Sequence, residues 1–242
     1  MKNIALIEIE HDAEAKFVER PNRFLGVVNI IKPNPAENVK VHVRDPGRLV
    51  DILLPGRLML LKYAGSVTRK TKWDLIAGFC NDHWVLVNSG YHRSITERIL
   101  THPGISPFGK IKSITPEVTF GHSRLDFVVM LPDDSKIWIE VKGCTLAENG
   151  IASFPDAPTT RGRKHLESLI ELRNRGERAS VIFLVFRNDA EKFAPNEVID
   201  PLFARAFEKA VAAGVEIYSL QFGFDTRTIR YLRTLPVVMK SR

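Results

Sequence analysis

Along the first 88 positions, apolar and polar side chains alternate in short runs broken by Pro, Gly, Asn and Asp. IALIEIE (4 to 10), FLGVVNII (24 to 31), VKVHVRD (39 to 45), RLMLLKYA (57 to 64), TKWDLIAGF (71 to 79) and HWVLVN (83 to 88) each read as a strand. Five or six short strands without a convincing helix suggest a small closed barrel of the oligonucleotide/oligosaccharide-binding (OB) type, occupying residues 1–88.

After Asn88 the period changes. Ser94 is placed to cap a helix through ITERILTH, with Glu97 three positions on as in a capping box. Three strand-like runs follow, 114 to 120, 124 to 131 and 136 to 142, the last two joined by PDDS. Leu166, Leu169 and Ile170 lie at helical spacing between Thr160 and Arg175, with Gly176 as the stop. SVIFLVF (180 to 186) is apolar at nearly every position, which suits a strand covered on both faces. Asp200 and Pro201 open a helix ending at Gly214, and VEIYSLQF (215 to 222) supplies a final strand. Residues 89–242 therefore read as a second, α/β domain, and the chain as α/β overall.

The chemistry sits around PDDS. Leu125, Phe127, Val129 and Leu131 share one face of the first strand and Ile137, Ile139 and Val141 one face of the second. Burying both sets together requires Asp126 opposite Glu140 or Lys142. Directly opposed residues have Cβ atoms about 4.5–5.5 Å apart, so the three side chains are expected to converge. Paired carboxylates repel, and a hard divalent cation, Mg²⁺ or Mn²⁺, relieves that penalty; a lysine beside it suits phosphodiester hydrolysis. Asp133, although part of a literal Pro-Asp, is a turn residue roughly 20 Å from Glu140. The order helix, three strands, helix, strand, with an acid on the second strand and Glu-x-Lys on the third, resembles the PD-(D/E)xK, restriction-endonuclease-like core. Glu97 is then a candidate further catalytic and metal-binding acid, although the capping box explains it equally well. Glu117 is a weaker candidate than a solvated strand carboxylate. Arg161, Lys164 and His165 lie on one side of the following helix, either as a phosphate grip or as a solvated basic face.

Charge adds a partner. The 35 basic residues exceed the 28 acidic ones for a net charge of +7, which favours a polyanion such as single-stranded or duplex DNA. In the N-terminal half, Arg20, Arg23, Arg44, Arg48, Arg57, Arg69, Lys70 and Lys72 are candidate DNA contacts, with Trp73 as a stacking surface. No helix-turn-helix, basic zipper or zinc finger pattern is present. The chain has no apolar run of membrane-spanning length and no signal-peptide pattern at its start, so a cytoplasmic protein is expected. Cys80 and Cys144 have neither disulfide-framework nor zinc spacing.

Longer motifs carry a closer likeness. RFLGVV (23 to 28), VHVRDPGRLVDILLPG (41 to 56), VNSGYHRSITERIL (87 to 100), SRLDF (123 to 127), IEVKGCTLAENG (139 to 150) and FPDAPTTRGRKHLESL (154 to 169) resemble, in that order, the sugar fermentation stimulation protein A (SfsA) family. The resemblance implies an OB-type barrel followed by a PD-(D/E)xK-like domain, and DNA binding largely without sequence preference. By matching motif it places the nuclease-like site on Asp126, Glu140 and Lys142, with Glu97 as a fourth member. RDPGR (44 to 48) departs from the Pro-Asn-Thr-Gly of many members but stays basic. The alternative activity it implies is that of a non-catalytic DNA-binding regulator linked to sugar, particularly maltose, metabolism. An oligosaccharide-binding barrel is a third option, and a homodimer is compatible with all three.

Overall fold

In the computed structural model, residues 2–65 and 69–239 are described. Strand β1 (Ile4–Glu8) precedes a barrel built from β2 (Ala13–Asn22), β3 (Leu25–Lys32), β4 (Ala36–His42), β5 (Leu58–Tyr63) and β6 (Trp73–Cys80). Neighbours run antiparallel in the order β4-β3-β2-β5-β6, and a short parallel pairing of Val41 with Trp73 and His42 with Asp74 closes the ring. This is the five-stranded OB arrangement. Two of the expected strands need correcting. The sequence reading has no strand at 13–22, yet β2 lies at the centre of the barrel, burying Ala13, Ala15 and Phe17 between the more accessible Glu14 and Lys16. Conversely β1, expected in the barrel, pairs antiparallel with the last strand.

Beyond β7 (His83–Leu86) a 3₁₀ turn leads into α1 (His92–Thr101). Asn88 caps that turn by accepting from the Gly90 N–H, so the helix starts two residues before Ser94. Ser94 lies inside the helix with its hydroxyl on the Tyr91 carbonyl, and Glu97 is paired with Arg93; the expected capping box is not formed.

The remaining elements are β8 (Ser113–Phe120), β9 (Ser123–Met130), β10 (Lys136–Cys144), β11 (Ala147–Glu148), β12 (Ile151–Phe154), α2 (Thr160–Asn174), β13 (Arg178–Val185), β14 (Lys192–Pro195), α3 (Pro201–Ala212), β15 (Glu216–Phe224) and β16 (Thr228–Leu235). The barrel's sheet continues from β6 through β7-β15-β13-β10-β9-β8, with β10, β13 and β15 mutually parallel, and β11-β12-β14 form a separate small sheet. β13 is buried almost throughout, as a strand covered on both faces must be. One face packs with Leu166, Leu169, Phe203 and Phe207 of α2 and α3; the other is continuous with the barrel core and Ile95 and Ile99 of α1. Thr159 caps α2 through the Gly162 N–H, and Asp200 caps α3 through Phe203 while also accepting from the Thr159 N–H, so one carboxylate sets both helix starts.

A buried cation joins the two halves. The fully buried Arg187 donates to Asp51 beside the barrel, to both carboxylate oxygens of Asp189 (2.9 and 2.7 Å) and to the Thr145 carbonyl. Asn81, in the β6–β7 turn, adds a 3.0 Å bond to Asp189. Both cysteines are free and buried, and burial pushes the Cys144 thiol up.

Candidate active site

β9 and β10 pair in the register Ile137 to Val129 and Ile139 to Phe127, which carried on would set Glu140 against Asp126. The ladder stops at that point. Asp126 turns its carboxylate into the position a backbone carbonyl would have taken and accepts the Val141 N–H at 2.7 Å. The break also alters the expected alternation: Phe127 and Val129 join the barrel-side core, whereas Leu125 packs with the α2 and α3 side.

Glu140, only 2% exposed, stands opposite α2, where its Oε1 meets Lys142 Nζ (2.5 Å) and His165 Nδ1. Arg161 Nε donates to His165 Nε2 at 3.4 Å, which leaves Nδ1 to carry the imidazole proton toward Glu140. His165 therefore belongs to the carboxylate and is buried; the expected solvent-facing trio of Arg161, Lys164 and His165 is divided, with Arg161 and Lys164 exposed.

Electrostatics separates the two acids. Burial raises the Glu140 carboxyl, but the His165 bond and the Lys142 charge more than reverse this and hold it below its ordinary value. Burial first, then the Glu140 charge, push Asp126 up to about 6. Glu140 Oε2 is buried with no hydrogen-bond partner. An unpartnered carboxylate oxygen beside a second carboxylate that resists ionisation fits a divalent cation with oxygen ligands. Asp126 and Glu140 are the only two candidate ligands that stand together: among the described residues there is no group of three or more His, Cys, Asp or Glu arranged to hold a metal. Glu97 lies one position beyond Thr96, which does face Asp126, and is half-exposed in its pair with Arg93 (3.0 Å). Glu117 shares the small recess of Asp126, with φ +55° and with Arg93 and Arg124 at 3.8 and 3.6 Å. Asp133 is confined to its turn, accepting from Ser135.

Two recesses open on this strand. The larger, about 540 Å³, runs between the barrel and the start of α2 and is lined among others by Arg23, Gly47, Lys142, Asp156 and Arg161. The smaller, about 210 Å³, holds Asp126, Arg93, Thr96 and Glu117. Ser89, His92 and Val141 line both. His92 stacks on Phe186 (5.4 Å, 19°) and crowds Gly143, where a Cβ would stand 2.3 Å from its ring. Glycine after Lys142 is thus what lets α1 reach the strand. Burial pushes the His92 imidazole down to about 4. The sequence reading passed over His92; the Gly following Glu-x-Lys was the available signal.

The basic residues of the N-terminal half divide by task. The Arg20 guanidinium donates to four carbonyls, those of Arg23, Asp45, Gly47 and Arg48, at 2.7 to 2.9 Å, and so folds the 44–48 loop. Arg69 is held on Asp74 (2.5 Å), with Arg44 at 3.8 Å from the same carboxylate. Arg23 lines the larger cleft, while Arg48, Lys70 and Lys72 are exposed. Arg57 donates to the Phe79 carbonyl at 3.3 Å. Trp73 is half-buried, edge-on to Tyr63 at 5.3 Å. The 44–48 loop is fastened across the cleft, for Asp156 accepts the Leu49 N–H at 3.2 Å and a Cβ on Gly47 would lie 2.3 Å from that carboxylate. Asp45, bonded to the Gly47 N–H, is pushed up to about 6 by burial and by Asp156.

Comparison with known proteins finds two family profiles along the chain. Residues 18–87 match the profile described as the SfsA N-terminal OB domain, and residues 90–228 that of the sugar fermentation stimulation protein RE domain. A sugar fermentation stimulation protein homolog of Methanococcoides burtonii is 42% identical over 98% of this chain and 96% of its own. One from Thermotoga neapolitana is 42% identical over 96% and 97%. In fold, the chain is similar to Pyrococcus furiosus SfsA, solved in complex with Ca²⁺: the TM-score is 0.88 at 28% identity, covering 97% of this chain and 99% of that one.

Proposed function

The chain belongs to the sugar fermentation stimulation protein family, and on that footing we propose that it binds DNA largely without sequence preference and hydrolyses its phosphodiester bonds with Mg²⁺ or Mn²⁺. The observation that carries this reading is the carboxylate pair at the ladder break. Asp126 lies close enough to Glu140 to feel its charge, Glu140 Oε2 is buried without a partner, and Lys142 stands 2.5 Å from the other Glu140 oxygen. The Ca²⁺ held by the P. furiosus relative is in keeping with oxygen ligands for a hard divalent ion.

A metal on Asp126 and Glu140 would supply Lewis-acid polarisation of a phosphate oxygen. The chain's own residues do the rest. His165 and Arg161 fix the Glu140 carboxylate in one orientation. Lys142 orients the attacking water and neutralises charge on the phosphorane. Water adds to phosphorus and gives up a proton to solvent, the bond to the leaving sugar oxygen breaks, and that oxygen takes up a proton from solvent. Arg23 and Arg161, on opposite walls of the larger cleft, hold the flanking phosphates. Arg48, Lys70, Lys72 and Lys164 supply outer phosphate contacts. In this division of labour, residues 1–88 grip the strand and residues 89–242 cut it. Arg20 and Arg69 act through the loops they hold. Glu97 takes part only if Arg93 releases it.

A second reading, a regulator that binds DNA without cutting it, draws on the internal compensation of Glu140 by His165 and Lys142. Cleavage of labelled single-stranded, duplex, flap and junction DNA with Mg²⁺ or Mn²⁺, beside Glu140→Ala and Asp126→Asn, separates the two. Loss of cleavage with retained binding in both variants supports the nuclease. Binding with no cleavage under either metal leaves the regulator.

A further inference from the structure

We infer that the strand entering this site is unpaired, and that Phe24 stacks one of its bases at the cleft mouth; the inference rests on the DNA-binding reading above. Three observations lead to it. The Glu140 carboxylate is only 2% exposed, and its bonded partner Lys142 lines a cleft of about 540 Å³, a size at which pockets enclose one small molecule, roughly 300–1,000 Å³. Access is narrowed further by the Asp156 bond to Leu49, which ties the barrel loop to the segment before α2. An unpaired strand leads a phosphate into so confined a recess more readily than a duplex, which must bring its second strand along.

The third observation is Phe24. It is 52% exposed, in the turn between β2 and β3, next to the cleft-lining Arg23. Single exposed apolar rings are ordinary, but this one is held rigidly. Its N–H donates to Asn22 Oδ1 (3.0 Å), and its carbonyl accepts from the Val43 N–H (3.0 Å) and meets His42 Nδ1 (3.1 Å). The His42 ring packs against it with centroids 6.5 Å apart. Arg20 fixes the preceding residue through the Arg23 carbonyl. An exposed ring on a clamped backbone loses little freedom when a base settles on it, and only an unpaired strand offers a free base face. The first turn of an OB barrel is also one of the loops through which such barrels meet oligonucleotides.

The test is binding of a labelled unpaired oligonucleotide and of a blunt duplex of the same sequence to the full chain, by anisotropy in chelator, with Phe24→Ala and Phe24→Trp beside the unsubstituted protein. The expected result is tighter binding of the unpaired strand, weakened about ten-fold by Phe24→Ala and kept by Phe24→Trp, with duplex affinity unchanged. Equal affinity for both DNAs, or equal losses on both in Phe24→Ala, overturns the inference while leaving the nuclease reading intact. Failure to bind either DNA overturns both. Circular dichroism of the Ala variant reports whether a loss came from unfolding.

Discussion

The backbone N–H of Val141 is bonded to the side chain of Asp126 at 2.7 Å, where a strand neighbour would ordinarily have offered a carbonyl. Asp126 therefore ends the β9–β10 ladder and presents a carboxylate in the same act. Asp126→Asn keeps an acceptor for Val141 while removing the charge, so it is expected to fold with an undiminished melting temperature. Its hydrolysis should fall by at least about 10²-fold, and Mn²⁺ is expected to raise the melting temperature of the unsubstituted protein but not that of the variant. Asp126→Ala, which strands a buried N–H, should lose about 1–3 kcal/mol in denaturant melts.

Gly143 and His92 make a second pair open to test. A methyl group at 143 would overlap the imidazole, so Gly143→Ala is expected to cost about 1–3 kcal/mol through overpacking and to lower cleavage by displacing α1. His92→Ala on the same background should restore most of the stability. A double-mutant cycle in urea reads the coupling, and additive losses would place the strain elsewhere.

Asp45 gives a pH dependence with a definite sign. Its carboxyl titrates near 6 in the fold and near 3.8 when unfolded, because burial, then the Asp156 charge, oppose ionisation although the Gly47 N–H favours it. The folded chain thus holds this proton more tightly. The stabilisation is fully present below the unfolded value and lost as pH rises through about 6. Asp45→Asn keeps an acceptor for Gly47, and at pH 7.5 it should be more stable than the unsubstituted chain by about 1–2 kcal/mol, at about 1.4 kcal/mol per unit reduced for partial solvation. At pH 4 the two should converge. Urea melts at both pH values check this.

Arg187 is the place where a single truncation should be most damaging. Arg187→Ala leaves Asp51 and Asp189 facing each other without a cation, and about 3–5 kcal/mol is expected to be lost in denaturant. Burial opposes ionisation of Asp189, yet the Arg187 bond holds its carboxyl at about 2. That contribution is present above the unfolded value and fades as pH falls toward 2, so the penalty of the substitution should shrink in acid.

How much of this was legible in the sequence depends on the range of the forces involved. The Asp126, Glu140, Lys142 set follows from period-two alternation and burial, both local, and the predicted parity is the one observed. β13 and the helix start at Asp200 follow from local rules in the same way. β2 escaped because Ala13 and Ala15 carry little apolar weight between Glu14 and Lys16, and only the closed barrel makes small inward residues favourable. The capping box at Ser94 was overridden by Asn88, which starts the turn earlier. The uses of Arg20 and Arg187 rest on partners as far as 28 and 136 residues away, which no periodicity reports.

The pairing of β1 with β16 has a consequence for how the chain is made. Residues 4–8 are synthesised long before the strand they bond to, 228–235. The N-terminal segment must wait, with its ladder groups open, while the barrel beside it closes from contacts already synthesised. Nascent chains halted before residue 228 should therefore carry a finished barrel and a loose β1, which is fastened only once β16 has been made.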